Sequence, residues 1–456
     1  MTGYALIAPE LIVLAGVAWA MFAELLPGRD RGAAWMGAIL MTLSGVVAAL
    51  QPIGGELFGG MVAFDGTARF ARVGIALLAT IWLVWTGSRA EGRIREAVAL
   101  ALLAAIGGML MAEARELVTL VLAIELATMP AYVLIGYRTR RADGLEGALK
   151  YFLLSMLTSL VMIYGMSFLY GVTGTTRFSA LDLTGSGTMG VLAVVLTFVG
   201  LFAKLSAVPF HYWAPDAYEG SEPWTVAFVS TVPKVAGAIA VVRLTAALAP
   251  TAPGLGLALV AVSGASIVFG NFAALNQTDV RRMMAYSGVA HTGYLLLGAG
   301  ALTAAGLGAA TFYAIAYAVP SLGIMLVAAE AGSRLTDFSG LSTHRPALAW
   351  STVLMLISLI GIPPFVGFMG KLYLFGAALR AGLAGWVIAA VIMSVVSAAY
   401  YLRIVRSMFF GEVNDGLAFG HRTALGDAAI ITAAAVTLAL GIAAGPLLAA
   451  LGTPIP

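Results

Sequence analysis

The chain contains no cysteine. This absence excludes disulfides, thiolate metal sites and cysteine-ligated iron–sulfur clusters. Charge is also scarce, because charged residues make up 10% of the 456 residues, whereas a soluble globular chain carries about 25%. Hydrophobic residues make up 61%, and the net charge of +3 gives no indication of nucleic-acid binding. The composition therefore predicts a protein that lies in a lipid bilayer through most of its length.

Lysine is the rarer basic residue, with four lysines beside 21 arginines. Lys150, Lys204, Lys234 and Lys371 all lie in, or at the start of, long apolar runs. A cation at the centre of a membrane helix costs about 2.5–3.5 kcal/mol. Arginine stays charged there, whereas a desolvated lysine can lose its proton. Lysines inside and arginines at the edges predict a membrane protein that handles protons.

Motifs for other chemistry are missing from the sequence. We find no Walker motif, dinucleotide fingerprint, nucleophile motif or clustered metal ligands. The chain therefore has no evident means of carrying electrons, and energy for transport has to come from a partner or an ion gradient. The first segment lacks a basic n-region, so we interpret it as a retained helix rather than a signal peptide.

With about 20 apolar residues per span, the sequence predicts an all-α polytopic membrane protein with fourteen transmembrane helices. The predicted ranges are 4–26, 33–51, 68–87, 96–113, 116–137, 147–170, 188–214, 224–248, 255–275, 282–301, 304–331, 347–377, 383–409 and 425–451.

The arginines between the helices predict the orientation. If the N-terminus is outside, the inside loops hold fifteen arginines and the outside loops and flanks hold five. The fifteen are Arg29, Arg31, Arg89, Arg93, Arg95, Arg138, Arg140, Arg141, Arg281, Arg282, Arg334, Arg345, Arg403, Arg406 and Arg422, and the five are Arg69, Arg72, Arg115, Arg177 and Arg380. This positive-inside bias predicts that both termini face the outside, which is the periplasm for a protein of a bacterial inner membrane.

Two of the predicted helices contain proline near the middle, and we expect both to be broken. Pro209 lies in helix 7, and Pro363 and Pro364 lie in helix 12. Proline removes a backbone donor and clashes with the preceding turn. The breaks lie five helices apart, and an odd offset predicts an inverted-topology repeat. We therefore expect an N-terminal three-helix segment (1–95), two inverted five-helix repeats (96–250 and 251–412) and a C-terminal helix 14 (413–456).

Charged residues inside the predicted helices are the candidate functional groups. Glu125 lies near the middle of helix 5, Lys204 precedes the break in helix 7, and Lys234 lies within helix 8. Lys371 follows the break in helix 12, and His291, which can relay protons near neutral pH, lies in helix 10. We expect a row of titratable groups in which the distance between Glu125 and Lys204 decides where the proton resides. The alternative is a set of static ion pairs that fix helix packing.

Lys150 opens helix 6, four residues after Glu146 and on the same helix face. It belongs to the same candidate set, although its long side chain could instead reach the inside surface.

Six segments resemble the antiporter-like family of proton-pumping membrane subunits. They are IELATMPAYVL around Glu125, ALKYFLL around Lys150, FAKLSAVPFHYWAPDAYEG after Lys204, TVPKVAG around Lys234, NQTDVRRMMAYSGVAHTGYLLLG through His291, and GIPPFVGFMGK ending at Lys371. The resemblance covers nearly the whole chain, and within the family it favours the bacterial NADH–quinone oxidoreductase, respiratory complex I. Lys371 stands where the M-type subunit is expected to have a glutamate, and the long C-terminal extension of the L-type subunit is not expected.

The resemblance implies roles for these residues. Glu125 and Lys204 would form a charge-modulating pair, Lys234 would be the central relay, and His291 and Lys371 would belong to the second half-channel. Lys150 would lie near the uptake side or contact a neighbouring subunit. The M-type subunit, small membrane subunits and the lipid bilayer would be the partners. No cofactor is expected in this chain, because NADH, FMN, iron–sulfur clusters and quinone would be held by partner subunits.

Three alternatives remain open at this stage. A subunit of a multi-subunit sodium/proton antiporter would share the fold and much of the charge row. A membrane subunit of an energy-converting hydrogenase is the second alternative, and an inert membrane scaffold is the third.

Overall fold

Apolar segments in a bilayer fold as helices because every backbone N–H and C=O must find its partner within the protein. The computed structural model describes residues 3–22, 30–89, 94–137, 142–252, 254–412 and 423–451. Within these ranges twelve helical segments are long and apolar enough to cross a membrane. Six of the inside arginines lie outside the described residues, namely Arg29, Arg93, Arg138, Arg140, Arg141 and Arg422.

The first half of the chain forms ten α-helices. They are α1 (Ala8–Phe22), which follows a 3₁₀ turn over Gly3–Ile7, α2 (Asp30–Leu50), α3 (Gly66–Arg89), α4 (Arg95–Glu113), α5 (Leu117–Ile135), α6 (Ala142–Thr173), α7 (Gly187–Leu205), α8 (Trp213–Gly220), α9 (Pro223–Val229) and α10 (Val232–Leu248).

The second half continues with nine. They are α11 (Leu255–Leu275), α12 (Val280–Gly300), α13 (Ala304–Ala331), α14 (Leu341–His344), α15 (Pro346–Ile360), α16 (Val366–Arg380), α17 (Ala384–Phe410), α18 (Ala424–Ile442) and α19 (Ala444–Leu451).

Both proline-containing runs are interrupted. Helix α7 ends at Leu205 and α8 begins at Trp213, while α15 ends at Ile360 and α16 begins at Val366. The backbone turns at Ser206 and Gly361, which have positive φ angles of 59° and 97°. Each interruption exposes helix-end carbonyls that need donors from elsewhere.

The described residues differ from the predicted helices in two respects. Between α2 and α3 a short antiparallel hairpin pairs β1 (Glu56–Leu57) with β2 (Val62–Ala63). The predicted single helix over 224–248 is divided into α9 and α10, because Pro233 at the start of α10 has no N–H to continue the ladder. Pro233 was a local signal of this third break, which the prediction of one continuous helix passed over.

Two of the fourteen predicted helices are not among the twelve apolar segments. One is α12, whose sequence includes Arg281, Arg282 and His291. The other is the predicted helix 12, which is present as α15 and α16, each 15 residues long.

Burial divides the helices into a centre and a periphery. The segment Pro223–Leu248, which contains α9 and α10, is 100% buried in its apolar window, and α13 is 94% buried. Helices α6 and α17 are only 33% buried, so most of their apolar surface faces away from the protein. Lys234, on α10, therefore lies at the centre of the molecule.

Candidate functional site: a buried row of titratable side chains

One face of α5 and the end of α7 form the first part of the site. Glu125, Thr128 and Tyr132 are spaced three and four residues apart, so they share the face of α5 that meets Lys204. Lys204 Nζ donates to Tyr132 Oη at 2.7 Å and to Thr128 Oγ1 at 3.4 Å. Its distance to Glu125 Oε1 is 3.9 Å. The carboxylate and the ammonium are therefore close enough to attract one another without a direct hydrogen bond.

The two members of this pair differ in exposure. The Lys204 side chain is 4% exposed and the Glu125 side chain 19%. Neither oxygen of Glu125 accepts a hydrogen bond from the residues that the structure describes. Glu125 therefore has spare bonding capacity, and its environment can respond to a change at the surface of α5.

The carbonyls that the first break exposes receive neutral donors. The indole N–H of Trp213 donates to Ala203 O at 2.9 Å. Thr292 Oγ1, on α12, donates to Leu205 O at 2.8 Å. Lys204 is thus free to point at α5, and the break is tied directly to the helix that bears His291.

Lys234 lies in the first turn of α10 and is 5% exposed. Its Nζ has no hydrogen-bond partner within the described parts of the chain. The Tyr218 ring centroid lies 5.5 Å away. An ammonium so deeply buried without an acceptor is costly, and a neutral amine is the form that this environment favours. Lys234 therefore has the surroundings of a group that releases a proton.

A small cavity lies between Lys234 and His291. It has a volume of about 20 Å³ and is also lined by Tyr313 and Tyr317. One water needs about 10–15 Å³ measured in this way, so the cavity has room for one water. A methyl group placed on Gly288 would lie 2.8 Å from Lys234 Nζ and 2.9 Å from Tyr317 Oη. Only glycine leaves the space between these two groups open.

His291 is held by two tyrosines. Its Nδ1 lies 2.8 Å from Tyr313 Oη, and its Nε2 lies 3.2 Å from Tyr401 Oη. Tyr401 Oη lies 2.5 Å from Ser287 Oγ. Because each hydroxyl can donate and accept, His291 can take either tautomer without losing a partner.

Lys371, on α16, reaches back to the end of α15. Its Nζ donates to Leu359 O at 2.9 Å, to Ile360 O at 3.0 Å and to Ser394 Oγ at 2.7 Å. These carbonyls are exposed by the break, and the C-terminal end of a helix carries partial negative charge. The helix end therefore supplies the electrostatic partner that a carboxylate would otherwise supply.

Lys150 differs from the other three lysines because its side chain is 44% exposed. Its Nζ contacts Glu146 at 2.7 Å and Asp216 at 2.8 Å. Arg282 also reaches Asp216, at 2.8 Å. Although partial burial raises the pKa of Asp216, the hydrogen bonds from Lys150 and Arg282 outweigh burial and hold that pKa below its usual range. Lys150 thus lies in a surface network apart from the buried row.

This network lines a cavity of about 1320 Å³ that α8 helps to form. Six carboxylates line the cavity, namely Glu146, Asp216, Glu219, Glu222, Asp279 and Asp337, together with the cations Lys150, Arg281 and Arg334. The cavity is therefore acidic on balance and attracts cations and protons from the water beyond it.

The structure brings Glu125 to Lys204 and Lys234 to His291, with Lys371 near His291 through Tyr294. The Tyr294 ring lies 4.9 Å from Lys371 Nζ and 5.6 Å from the His291 ring. Within the described chain, no group of three His, Cys, Asp or Glu side chains could hold a metal ion.

Sequence reasoning missed the tyrosines, which form most contacts of the row. Tyr132 is seven residues after Glu125, Tyr294 is three after His291, and Tyr313 and Tyr317 are four apart on α13. Helical spacing from the charged residues was a signal that could have found them. Arg243 on α10, which is fully buried and donates to Asp65, was also missed.

Interrupted helices around a buried row of lysines define the class of antiporter-like membrane subunits, and comparisons with known proteins agree. Residues 114–397 match the family described as NADH:quinone oxidoreductase/Mrp antiporter, transmembrane. NADH-quinone oxidoreductase subunit N of Rhodospirillum rubrum is 36% identical over 88% of this chain and 85% of that protein. Subunit N of Sphingopyxis alaskensis is 34% identical over 98% of this chain and 97% of that protein. The chain belongs to the family of NADH–quinone oxidoreductase subunit N proteins.

Solved structures show the same architecture. A chain of respiratory complex I from Thermus thermophilus with bound aureothin superposes with a TM-score of 0.85 at 31% identity, covering 97% of this chain and 99% of that chain. A chain of the Mrp complex from a Dietzia species superposes with a TM-score of 0.84 at 23% identity, covering 100% and 97%. At that lower identity the likeness concerns the fold alone.

Proposed function

We propose that this chain is a proton-translocating membrane subunit of an NADH–quinone oxidoreductase, in which other subunits carry out the redox chemistry. The observation that carries this proposal is the buried row of Lys204, Lys234 and Lys371 with Glu125 and His291. Such groups in a membrane interior are expensive and are a mark of proton pathways. As a subunit of a translocase the chain contributes proton movement rather than electron transfer.

Protons are collected at the acidic cavity beside Lys150 and pass inward past α8. Asp216, on α8, contacts Lys150, and Tyr218, on the same helix, contacts Lys234. The short helix therefore connects the cavity with the centre of the molecule. Movement of α8 relative to α10 would open or close this connection.

The pair of Glu125 and Lys204 acts as the switch. At 3.9 Å the carboxylate stabilises the ammonium form of Lys204. When a neighbouring subunit draws Glu125 away, Lys204 loses that stabilisation, and the positive charge near Lys234 changes with it. The partial exposure of Glu125 on α5 supports this role, because a partner can reach it from the side.

Lys234 passes its proton to His291 across the small cavity, and Lys371 receives it in the second half. One water in about 20 Å³ is enough to bridge two groups. The tyrosine hydroxyls around His291 keep the ring oriented in both tautomers. Lys371 then holds the proton against the helix-end carbonyls until it is released.

The architecture that supports this path is fourteen membrane crossings with two inverted repeats, 96–250 and 251–412, between the segment 1–95 and the final 413–456. In support, the two interruptions lie at corresponding places in the repeats. The arginine distribution supports both termini in the periplasm of a bacterial inner membrane. The partners are an M-type subunit, small membrane subunits and lipid, and NADH, FMN, iron–sulfur clusters and quinone belong to partner subunits.

A direct test begins with the tagged chain, purified from its native membrane in mild detergent. NADH–quinone reductase activity with co-purified redox subunits supports the proposal. A redox-inactive set of membrane subunits would instead favour a sodium/proton antiporter.

The second step is Lys234→Met in the assembled complex, reconstituted in liposomes with a pH-sensitive dye. We expect intact assembly and loss of proton pumping. Arg380→Met is the matched control, because Arg380 is exposed at the end of α16 and has no place in the pathway, so we expect this variant to retain most pumping. Loss of assembly with normal pumping in the residual complex would favour the scaffold alternative.

A further inference from the structure

A second buried cluster lies apart from the lysine row, where the N-terminal helices meet. Glu10 on α1, Arg72 on α3 and Glu113 at the end of α4 are 6%, 2% and 0% exposed. All three precede residue 114, where the match to the family begins. The cluster is therefore a feature of the three-helix segment and its junction with α4.

The donors of Arg72 are committed to groups other than Glu113. Its Nε and Nη2 donate to the two oxygens of Glu10 at 2.8 and 2.7 Å. Its Nη2 also donates to Leu6 O at 2.9 Å, and its Nη1 to Gln51 Oε1 at 3.0 Å. Glu113 Oε1 lies against Arg72 Nε, but that N–H is already bonded to Glu10.

Glu113 is consequently a buried carboxyl whose nearby donor, Arg72 Nε, is already bonded to Glu10. Neither of its oxygens accepts a hydrogen bond from the residues that the structure describes. A carboxylate accepts hydrogen bonds at two oxygens and donates none, whereas a protonated carboxyl donates one. The Glu113 and Glu10 carboxylates both contact Nε of Arg72 and therefore lie side by side. A proton on Glu113 would therefore convert an orphaned acceptor into a donor to Glu10.

The charged groups near the cluster on the α5 and α10 side have partners of their own. Arg243, on α10, donates to Asp65 and to Ala112 O, and Arg115 also pairs with Asp65. Glu116, at the start of α5, is bonded to Thr119 and Thr176. Asp65 thus pairs with Arg115 and Arg243, and Arg72 is the cation in direct contact with both Glu10 and Glu113.

We propose that Glu10 and Glu113 share one proton, so that with Arg72 they form a proton-binding site at the end of the bundle where α1 begins. Two buried carboxylates beside one guanidinium leave one negative charge uncompensated, and such a group takes up a proton instead. Arg72 sets the number of bound protons at one. A cavity of about 10 Å³ lined by Gln51, Asp65, Arg69 and Arg72 lies beside the site.

The site goes beyond the proposed pathway, because none of its members belongs to the lysine row. The arginine distribution assigns its end of the bundle to the outside of the membrane. A bound proton there exchanges with the outside medium, while Lys150 and Asp216 face the opposite medium.

Infrared spectroscopy of the purified complex tests the proposal, because a protonated carboxyl has its own C=O stretch, which shifts in D₂O. In the difference between the wild type and Glu113→Gln we expect the loss of one protonated-carboxyl band. Glu56→Gln is the control, since Glu56 is exposed at the same end and lies outside the cluster. A spectrum in which Glu113→Gln removes only ionised-carboxylate absorbance overturns the proposal.

Glu10→Gln is an independent variant with an informative outcome. It leaves Arg72 and Glu113 in a one-to-one ion pair, so that Glu113 ionises and the same protonated band is lost although Glu113 is still present. A static arrangement with an ionised Glu113 predicts no such loss. Persistence of the band in Glu10→Gln therefore also overturns a shared proton, and this variant suffices if Glu113→Gln does not assemble.

Discussion

The two interrupted helices hold their lysines in opposite ways. At the first break, Lys204 points away from the helix ends and towards Glu125, while Trp213 and Thr292 satisfy the exposed carbonyls. At the second break, Lys371 itself satisfies the exposed carbonyls, and the groups to which it donates, two carbonyls and a serine hydroxyl, are all neutral. A helix interruption thus gives one lysine, Lys204, whose environment depends on a carboxylate, and another, Lys371, whose environment depends on backbone carbonyls. The first half is suited to switching and the second to storage.

The largest effect is expected when this storage arrangement is removed. In Lys371→Met the carbonyl of Leu359 loses the donor that Lys371 supplies, and a buried acceptor without a partner costs about 1–3 kcal/mol. Thermal unfolding of the complex should show this loss, and Lys371→Arg should recover part of it. Lys204→Met should destabilise less, because Thr128 keeps its bond to Ile124 O. Equal losses at the two lysines would contradict the difference between the halves.

Communication between the halves is expected to fail when the space at Gly288 is filled. In Gly288→Ala the added methyl meets Lys234 Nζ and Tyr317 Oη at under 3 Å. We expect proton pumping to fall about tenfold, equivalent to about 1.4 kcal/mol in the barrier. Gly308→Ala is the matched control, because nothing lies within 4 Å of a methyl group there. Pumping at the wild-type rate in Gly288→Ala would show that protons do not pass between these two groups.

A smaller effect is expected when the switch loses its charge but keeps its shape. In Glu125→Gln the ammonium of Lys204 keeps Tyr132 and Thr128 but loses its carboxylate. We expect pumping in proteoliposomes to slow by about threefold to fivefold, equivalent to about 0.7–1 kcal/mol. Glu96→Gln, which alters an exposed carboxylate bonded to Tyr137, is the control. If both variants pump equally well, the pair is structural.

The smallest effect is expected at the surface network. Because the pKa of Asp216 is lowered in the folded protein, its contribution to stability is present above the unfolded pKa of about 3.9 and is lost as pH falls through the folded value. Asp216→Asn should therefore lower the free energy of unfolding at pH 7 by under about 1 kcal/mol. A slightly lower unfolding temperature would show this change. Below pH 4 we expect the difference from the wild type to shrink, and a difference that widens there would contradict this account.

The sequence predicted the features that follow from the free-energy cost of placing a charged residue or a proline in an apolar helix. A carboxylate or lysine in an apolar run has to be paired or functional, and Glu125, Lys204, Lys234 and Lys371 were found on that ground. Proline gave the two interruptions correctly, because its missing N–H is a local property. The roles of these residues stay predictions.

The parts that the sequence did not predict depend on three-dimensional partners. The tyrosines around His291 are ordinary aromatic residues until their hydroxyls meet, whereas the break before Val232 had a local signal in Pro233 that the prediction passed over. Arg72 was assigned to an outside flank, yet it is 2% exposed. Its burial depends on Glu10 and Glu113, which lie far from it in sequence.

The two cavities of the lysine pathway differ in volume by more than an order of magnitude, about 1320 Å³ at the acidic mouth and about 20 Å³ beside Lys234. A sodium ion, as a hard cation, takes a shell of several oxygen ligands, whereas a proton crosses on a single water or hydroxyl. The outer cavity admits either species, but the inner one has no room for an ion with its ligands, and Lys234 adds repulsion whenever it is charged. On the proposed pathway, selectivity for protons would therefore be set by the volume at the centre of the molecule rather than by binding at its surface.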